Sequence, residues 1–174
     1  MSSAALRRPT EKEYASFYDK YVKLVPDESI LKVLELQGAH AQKILRAIDE
    51  TKSLHRYAPD KWSIREVVGH VTDAERVFTY RALRFARADA TPLPGFDQDV
   101  WSKKTNAHSR TLASLLDDLQ LLRAATISLF RGFADEDWER SGIASDNAVT
   151  VRALAYIVAG HEHHHLKIVK ERYL

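Results

Sequence analysis

Ser63-Ile64-Arg65-Glu66-Val67-Val68-Gly69-His70-Val71-Thr72-Asp73-Ala74-Glu75-Arg76 is the stretch that decides the fold. A serine followed three residues later by a glutamate is a capping box, in which each side chain satisfies the other's free backbone N–H. Behind it Ile64, Val67, Val71, Ala74, Phe78 and Phe85 recur at helical spacing, so the reading predicts a long amphipathic helix from Ser63 to Ala88. The same periodicity appears three more times. Ile30, Leu31, Leu34, Ile44, Leu45 and Ile48 mark a first long helix over Glu28–Thr51. Leu112, Leu115, Leu119, Leu122, Ile127 and Leu129 mark a third over Thr111–Phe130, and Val151, Leu154, Val158 and Ile168 a fourth from Thr150 almost to the end.

The segments between them punctuate. Thr10-Glu11-Lys12-Glu13 is another capping-box pattern, expected to open a short amphipathic segment to Leu24 that Pro26-Asp27 stops. Tyr57–Trp62 is a loop around Pro59. Asp89–Arg110 has no periodicity and carries Pro92, Pro94, Gly95, Phe96 and Trp101. A connection of about twenty residues without structure is unusual in a compact domain and is often functional. It is also long enough to run the length of a bundle and leave its flanking helices parallel. Gly132–Val149 is irregular too, with one turn at Asp135-Glu136-Asp137-Trp138, and no strands are expected. The expectation is one all-α domain, residues 1–174, folded as a four-helix bundle with a long crossover between the second and third helices.

Composition narrows the function. The 174 residues suffice for one cored domain, with 45% hydrophobic and 29% charged residues. A net charge of +2 with no basic stripe argues against nucleic acid. No apolar leader follows Met1 and no run is long enough to span a bilayer, so a cytoplasmic location is expected. Cysteine is absent, which excludes disulfides, thiolate catalysis by the chain itself and cysteine-bound zinc.

The chemistry concentrates in Gly160-His161-Glu162-His163-His164-His165. His161 and His165 lie about 40° apart around a helix on neighbouring turns, where two imidazoles can chelate one metal ion. His70, beside the inward stripe of the second helix, is the third candidate. An affinity tag would be an unbroken terminal run, whereas Glu162 interrupts this one and Leu166-Lys167-Ile168-Val169 continues the helix. Four histidines in five positions cannot all face one site. His163 points away from His165, while His164 flanks the stripe as an alternative ligand. Glu66 or Asp73 could accept the free ring N–H of His70 and set its tautomer. The pattern also satisfies His-Glu-x-x-His, the signature of zinc proteases with Glu162 as base, although that site normally belongs to a domain with a sheet. Arg76, Tyr80 and Arg84 could bind an anion or form a solvated face. Phe96 and Trp101 could wall a pocket or pin the crossover. Phe17, Tyr18 and Tyr21 read as exposed apolar residues suited to a homodimer.

From Lys61-Trp62-Ser63 through His70 to Arg76, followed by His161-Glu162-His163-His164-His165, the chain resembles the DinB/YfiT-like family of metalloenzymes. The resemblance covers nearly the whole chain. It implies a four-helix bundle with a long second connection and a metal held by one histidine of the second helix and two of the fourth, here His70, His161 and His165. It favours Asp73 as the ring partner. It implies a small-molecule substrate and a thiol transferase chemistry, with zinc or nickel (iron or manganese as alternatives) activating a low-molecular-weight thiol of the bacillithiol, mycothiol or glutathione type. The alternatives are a metal-dependent hydrolase and a metal-stabilised dimeric bundle without catalysis.

Overall fold

The computed structural model describes residues 7–174, so the leader expected to be absent at Met1–Leu6 lies outside them. The helices are α1 (Asp19–Val22), α2 (Ile30–Leu45), α3 (Ile64–Ala86), α4 (Gln98–Ser102), α5 (Leu112–Arg131), α6 (Asp135–Glu139) and α7 (Val151–Arg172), with a hairpin of β1 (Ser141–Ala144) and β2 (Asn147–Thr150) before α7.

Three long helices begin at the expected caps. Ser63 and Glu66 form the reciprocal capping box of α3, the Thr111 hydroxyl accepts from Ser114 N at the start of α5, and the Thr150 hydroxyl accepts from Ala153 N at the start of α7. The first long helix is shorter than expected, ending at Leu45 rather than Thr51. A local side-chain cap and partners further along the chain draw the next residues out of helix. The Asp49 carboxylate accepts from Lys52 N, Glu50 accepts from Leu112 N and Arg65, and buried Ser53 accepts from Arg65 Nε. Half of the Thr10 box forms, Glu13 accepting from Thr10 N at 2.7 Å, while Glu13 N donates to the Thr10 carbonyl rather than to its hydroxyl. The following residues make only a 3-10 turn and the one-turn α1, because the Glu13 carboxylate also binds Arg152, a fully buried side chain of α7.

Helices α2, α3, α5 and α7 form the bundle, α2 and α3 each packing against both α5 and α7. The starts of α3 and α5 meet, since Arg65 donates to Arg110 O at 2.7 Å and shares Glu50 with Leu112 N, while further along Glu75 meets Thr126. Those helices are therefore parallel, as the length of the crossover allowed. Tyr173 at the end of α7 donates to Trp62 O beside the start of α3, so these two are antiparallel. Most of Val151–Glu162 is buried, which makes α7 the central helix.

The expectation of no strands is corrected. Ser145 and Asp146 both take positive φ, 51° and 62°, the backbone of a two-residue hairpin turn. Leu93 of the crossover joins the ribbon, its N–H donating to Ile143 O and its carbonyl accepting from Ser145 N. The hairpin thus anchors the crossover across the end of α3. Among the described residues no helix is long and apolar enough to cross a membrane.

Candidate metal centre

His70 on α3 and His161 on α7 are buried and His165 half-buried. Each offers a ring nitrogen, and the three atoms lie within 4.8 Å of one another. His70 Nε2 and His161 Nε2 are 3.1 Å apart. A tetrahedral zinc with bonds of about 2.0–2.1 Å holds its nitrogens roughly 3.3 Å apart, so the set fits a divalent ion with little adjustment. The antiparallel run of α3 and α7 supplies the convergence. It brings one helix's ring opposite a gap between two rings of the other.

The surroundings keep the rings neutral. Burial pushes His70 down to about 4, an effect the Asp99 charge partly offsets. Burial takes His165 down to about 3 and His161 well below the ordinary imidazole value, with the other rings and Lys20 adding to it. A neutral imidazole is the form that ligates. Aromatic rings enclose the cluster. Trp62 lies 4.7 Å from His70, Tyr21 meets the edge of His161 at 5.2 Å, and Phe78 lies 5.8 Å from His161. Gly160 makes the approach of Tyr21 possible, since a Cβ there would stand 2.1 Å from Tyr21 O.

A pocket of about 300 Å³ opens beside His70 and His161, walled by Phe17, Tyr18, Tyr21, Phe78 and Phe96, with Lys20, Arg81, Gln98 and Ser145 as its polar groups. Phe17, Tyr18 and Tyr21, the aromatics read as suited to a homodimer, line this pocket, and Phe17 is also exposed on the surface. Phe96 is a wall as well, and Trp101 packs on it from outside, ring centroids 4.8 Å apart. Nothing in the sequence singled out Lys20, Phe78's pocket role or Arg81, because their convergence depends on α1 and the hairpin lying over α3.

The remaining candidates lie elsewhere. Asp73 accepts from Arg76 at 3.1 Å and lines a separate cleft with Arg110 and Asp118 that contains none of the three histidines. Glu66 is committed to Ser63 N and Arg56. Glu162 points into the core, where it accepts from Gln37 and Arg123. Arg84 pairs with Asp89 and Tyr80 on the surface. His163 borders a groove with His40, and His164 packs edge-on to Tyr21 at 5.3 Å.

The chain is similar in fold to YfiT from Bacillus subtilis, described as a probable metal-dependent hydrolase with an unusual four-helix bundle topology. The TM-score is 0.71 at 20% identity, covering 95% of this chain and 90% of that one. It is 26% identical over 144 residues to a candidate metal-dependent hydrolase of Oceanobacillus iheyensis, spanning 80% of this chain and 81% of the relative. The family model of the DinB superfamily matches residues 34–169, a span that takes in α3, α5, most of α2 and α7 and all three histidines, and the chain belongs to that superfamily.

Proposed function

We propose that the chain is a metal-dependent enzyme in which His70, His161 and His165 hold one divalent ion, zinc or nickel, at the floor of a pocket for a small molecule. The observation that carries the reading is the neutral three-nitrogen cluster, two of whose rings, His70 and His161, open onto that pocket. Three neutral ligands leave the ion's charge uncompensated and a position open, the pattern of catalytic sites. When bound, such an ion supplies Lewis acidity and lowers the pKa of a ligating water or thiol. Trp62, Tyr21 and Phe78 exclude bulk water from the rings and strengthen electrostatic interactions there.

Hydrolysis is the reaction that the descriptions of the two relatives support. Transfer of a low-molecular-weight thiol is the second reading, and one observation narrows both. Among the described residues no carboxylate lines the pocket, and Glu162, the base of the His-Glu-x-x-His reading, is held in the core. A water or a thiol would each rely on the ion for deprotonation, so what this sets aside is the glutamate-assisted hydrolysis of the His-Glu-x-x-His pattern.

Elemental mass spectrometry on tag-free protein tests the metal. About one equivalent in the wild type and almost none in His161→Ala is expected, and no metal in either removes the reading. A sulfur-to-metal absorption band on titrating a small thiol into cobalt-substituted protein then selects thiol transfer, and its absence selects hydrolysis.

A further inference from the structure

Four arginines are buried among the described residues, Arg65, Arg81, Arg123 and Arg152. Three have carboxylates at ion-pair distance. Arg65 meets Glu50 at 2.6 Å, Arg123 meets Glu75 at 2.8 Å and Glu162 at 3.0 Å, and Arg152 meets Glu13 at 2.6 Å. Arg81, only 2% exposed, has neutral partners instead. Its Nη2 donates to Pro94 O at 2.7 Å and to Ser145 Oγ at 3.0 Å, and it hydrogen-bonds the Tyr18 side chain. Burial pushes the Tyr18 hydroxyl up, so that group carries no charge at neutral pH. A buried guanidinium without a counter-charge is costly, so a ligand that brings an anion to it gains a charge-assisted contact.

The position suits that role. Arg81 follows His70 by eleven residues, three turns of α3, which puts both on one face separated by about 16 Å of helical rise. The guanidinium meets the Tyr18 side chain, whose ring packs edge-on to Phe78 at 6.2 Å, and Phe78 lies 5.8 Å from His161. Arg81 and His70 line the same pocket, with the rings of Tyr18, Tyr21, Phe78 and Phe96 around the space between them. Lys20, in the same wall, adds to the positive potential.

We infer that Arg81 is the anion anchor of this pocket and that its substrate is a small carboxylate with an aromatic or apolar body, held with the carboxylate on Arg81 and the reacting end at the three histidines. Nη2 is committed to Pro94 O and Ser145 Oγ, so a carboxylate would take a charge-assisted hydrogen bond from the remaining guanidinium N–H groups. The orientation rests on the metal-dependent reading above, whereas the anchor itself rests on Arg81 alone.

The test is calorimetric titration of 3-phenylpropionate and of its uncharged amide into zinc-loaded protein and into protein stripped of metal. The acid should bind at least about tenfold more tightly than the amide in both forms, as a charge-assisted contact requires. Arg81→Gln should abolish that difference and leave the amide within about twofold, with Arg81→Lys intermediate. Equal binding of acid and amide by the wild type, or no binding of either, overturns the inference. So does equal weakening of both probes in Arg81→Gln, which would make Arg81 a pin between crossover and hairpin. An acid preference that vanishes with the metal also overturns it, because the carboxylate would then be ligating the ion. If Arg81→Gln fails to fold by circular dichroism, Arg81→Lys and the wild-type ratio without metal decide. A protein that binds no zinc but keeps the acid preference would sink the metal reading and leave the anchor standing.

Discussion

Glu162 Oε2 lies 3.0 Å from Arg123 Nη1, although the residue before it, His161, faces His70 in the histidine cluster. A step of about 100° around α7 separates the two directions. It sends the carboxylate into a buried network in which Arg123 also binds Glu75 and Thr126 donates to Glu75 at 2.7 Å. Burial works against the charge of Arg123, but Glu162 and Glu75 outweigh it and hold the guanidinium protonated. Glu162 Oε1 is buried without a partner. Removing the cation leaves two carboxylates in the core, so Arg123→Met should cost about 3–5 kcal/mol, read as a lower urea midpoint.

The same geometry separates Glu162 from the chemistry. Glu162→Gln should lower stability yet keep the wild-type metal content, because the side chain faces away from the rings. Loss of bound metal in a folded Glu162→Gln protein would contradict this.

Asp73→Asn decides what the Asp73 carboxylate does. A partner that fixes the tautomer of a ligating histidine is worth roughly 10–100-fold in metal affinity. The carboxylate is paired with Arg76 at a part-exposed position, where such a bridge is worth about 0–1 kcal/mol. Zinc affinity within about twofold of wild type is therefore expected, measured by competition with a chromophoric chelator.

Protons and the rings compete in the metal-free protein. In the unfolded chain a histidine titrates near its ordinary value, about 6.5. In the folded protein His70 titrates at about 4 and His165 at about 3. Below the unfolded value the unfolded state binds more protons, so stability present above about pH 6.5 is lost as pH falls toward the folded values. Urea midpoints should drop between about pH 7.5 and 5, above the range where carboxylates titrate, and drop less in His70→Gln. A flat profile would mean that the rings are solvated.

Gly160→Ala places a methyl group 2.1 Å from Tyr21 O and 2.4 Å from Tyr21 C, which are backbone atoms with little freedom to move. The substitution should cost about 1–3 kcal/mol or more and shift Tyr21 from the edge of His161. Gly132 is the control. Its φ is −79° and its nearest neighbour would be 3.5 Å away, so Gly132→Ala should be neutral or slightly stabilising by thermal melting.

What the sequence by itself determined was local. The caps at Ser63, Thr111 and Thr150, the apolar stripes, and the pairing of His161 with His165 on one face all depend on residues within a few turns of each other. Helical period and cap chemistry act at that range, so these features were legible. Even the hairpin left a trace in Ser145-Asp146-Asn147, turn-forming residues between short apolar runs, which the dominant helical pattern masked. Tertiary structure alone decided the rest. Whether α3 and α5 run parallel and which neighbour receives Glu162 depend on contacts between residues far apart in the chain. Arg81 is the clearest case. Its spacing from His70 was visible, but its burial without a carboxylate follows only once α1, the crossover and the hairpin close over α3 and none of them brings an acid within reach.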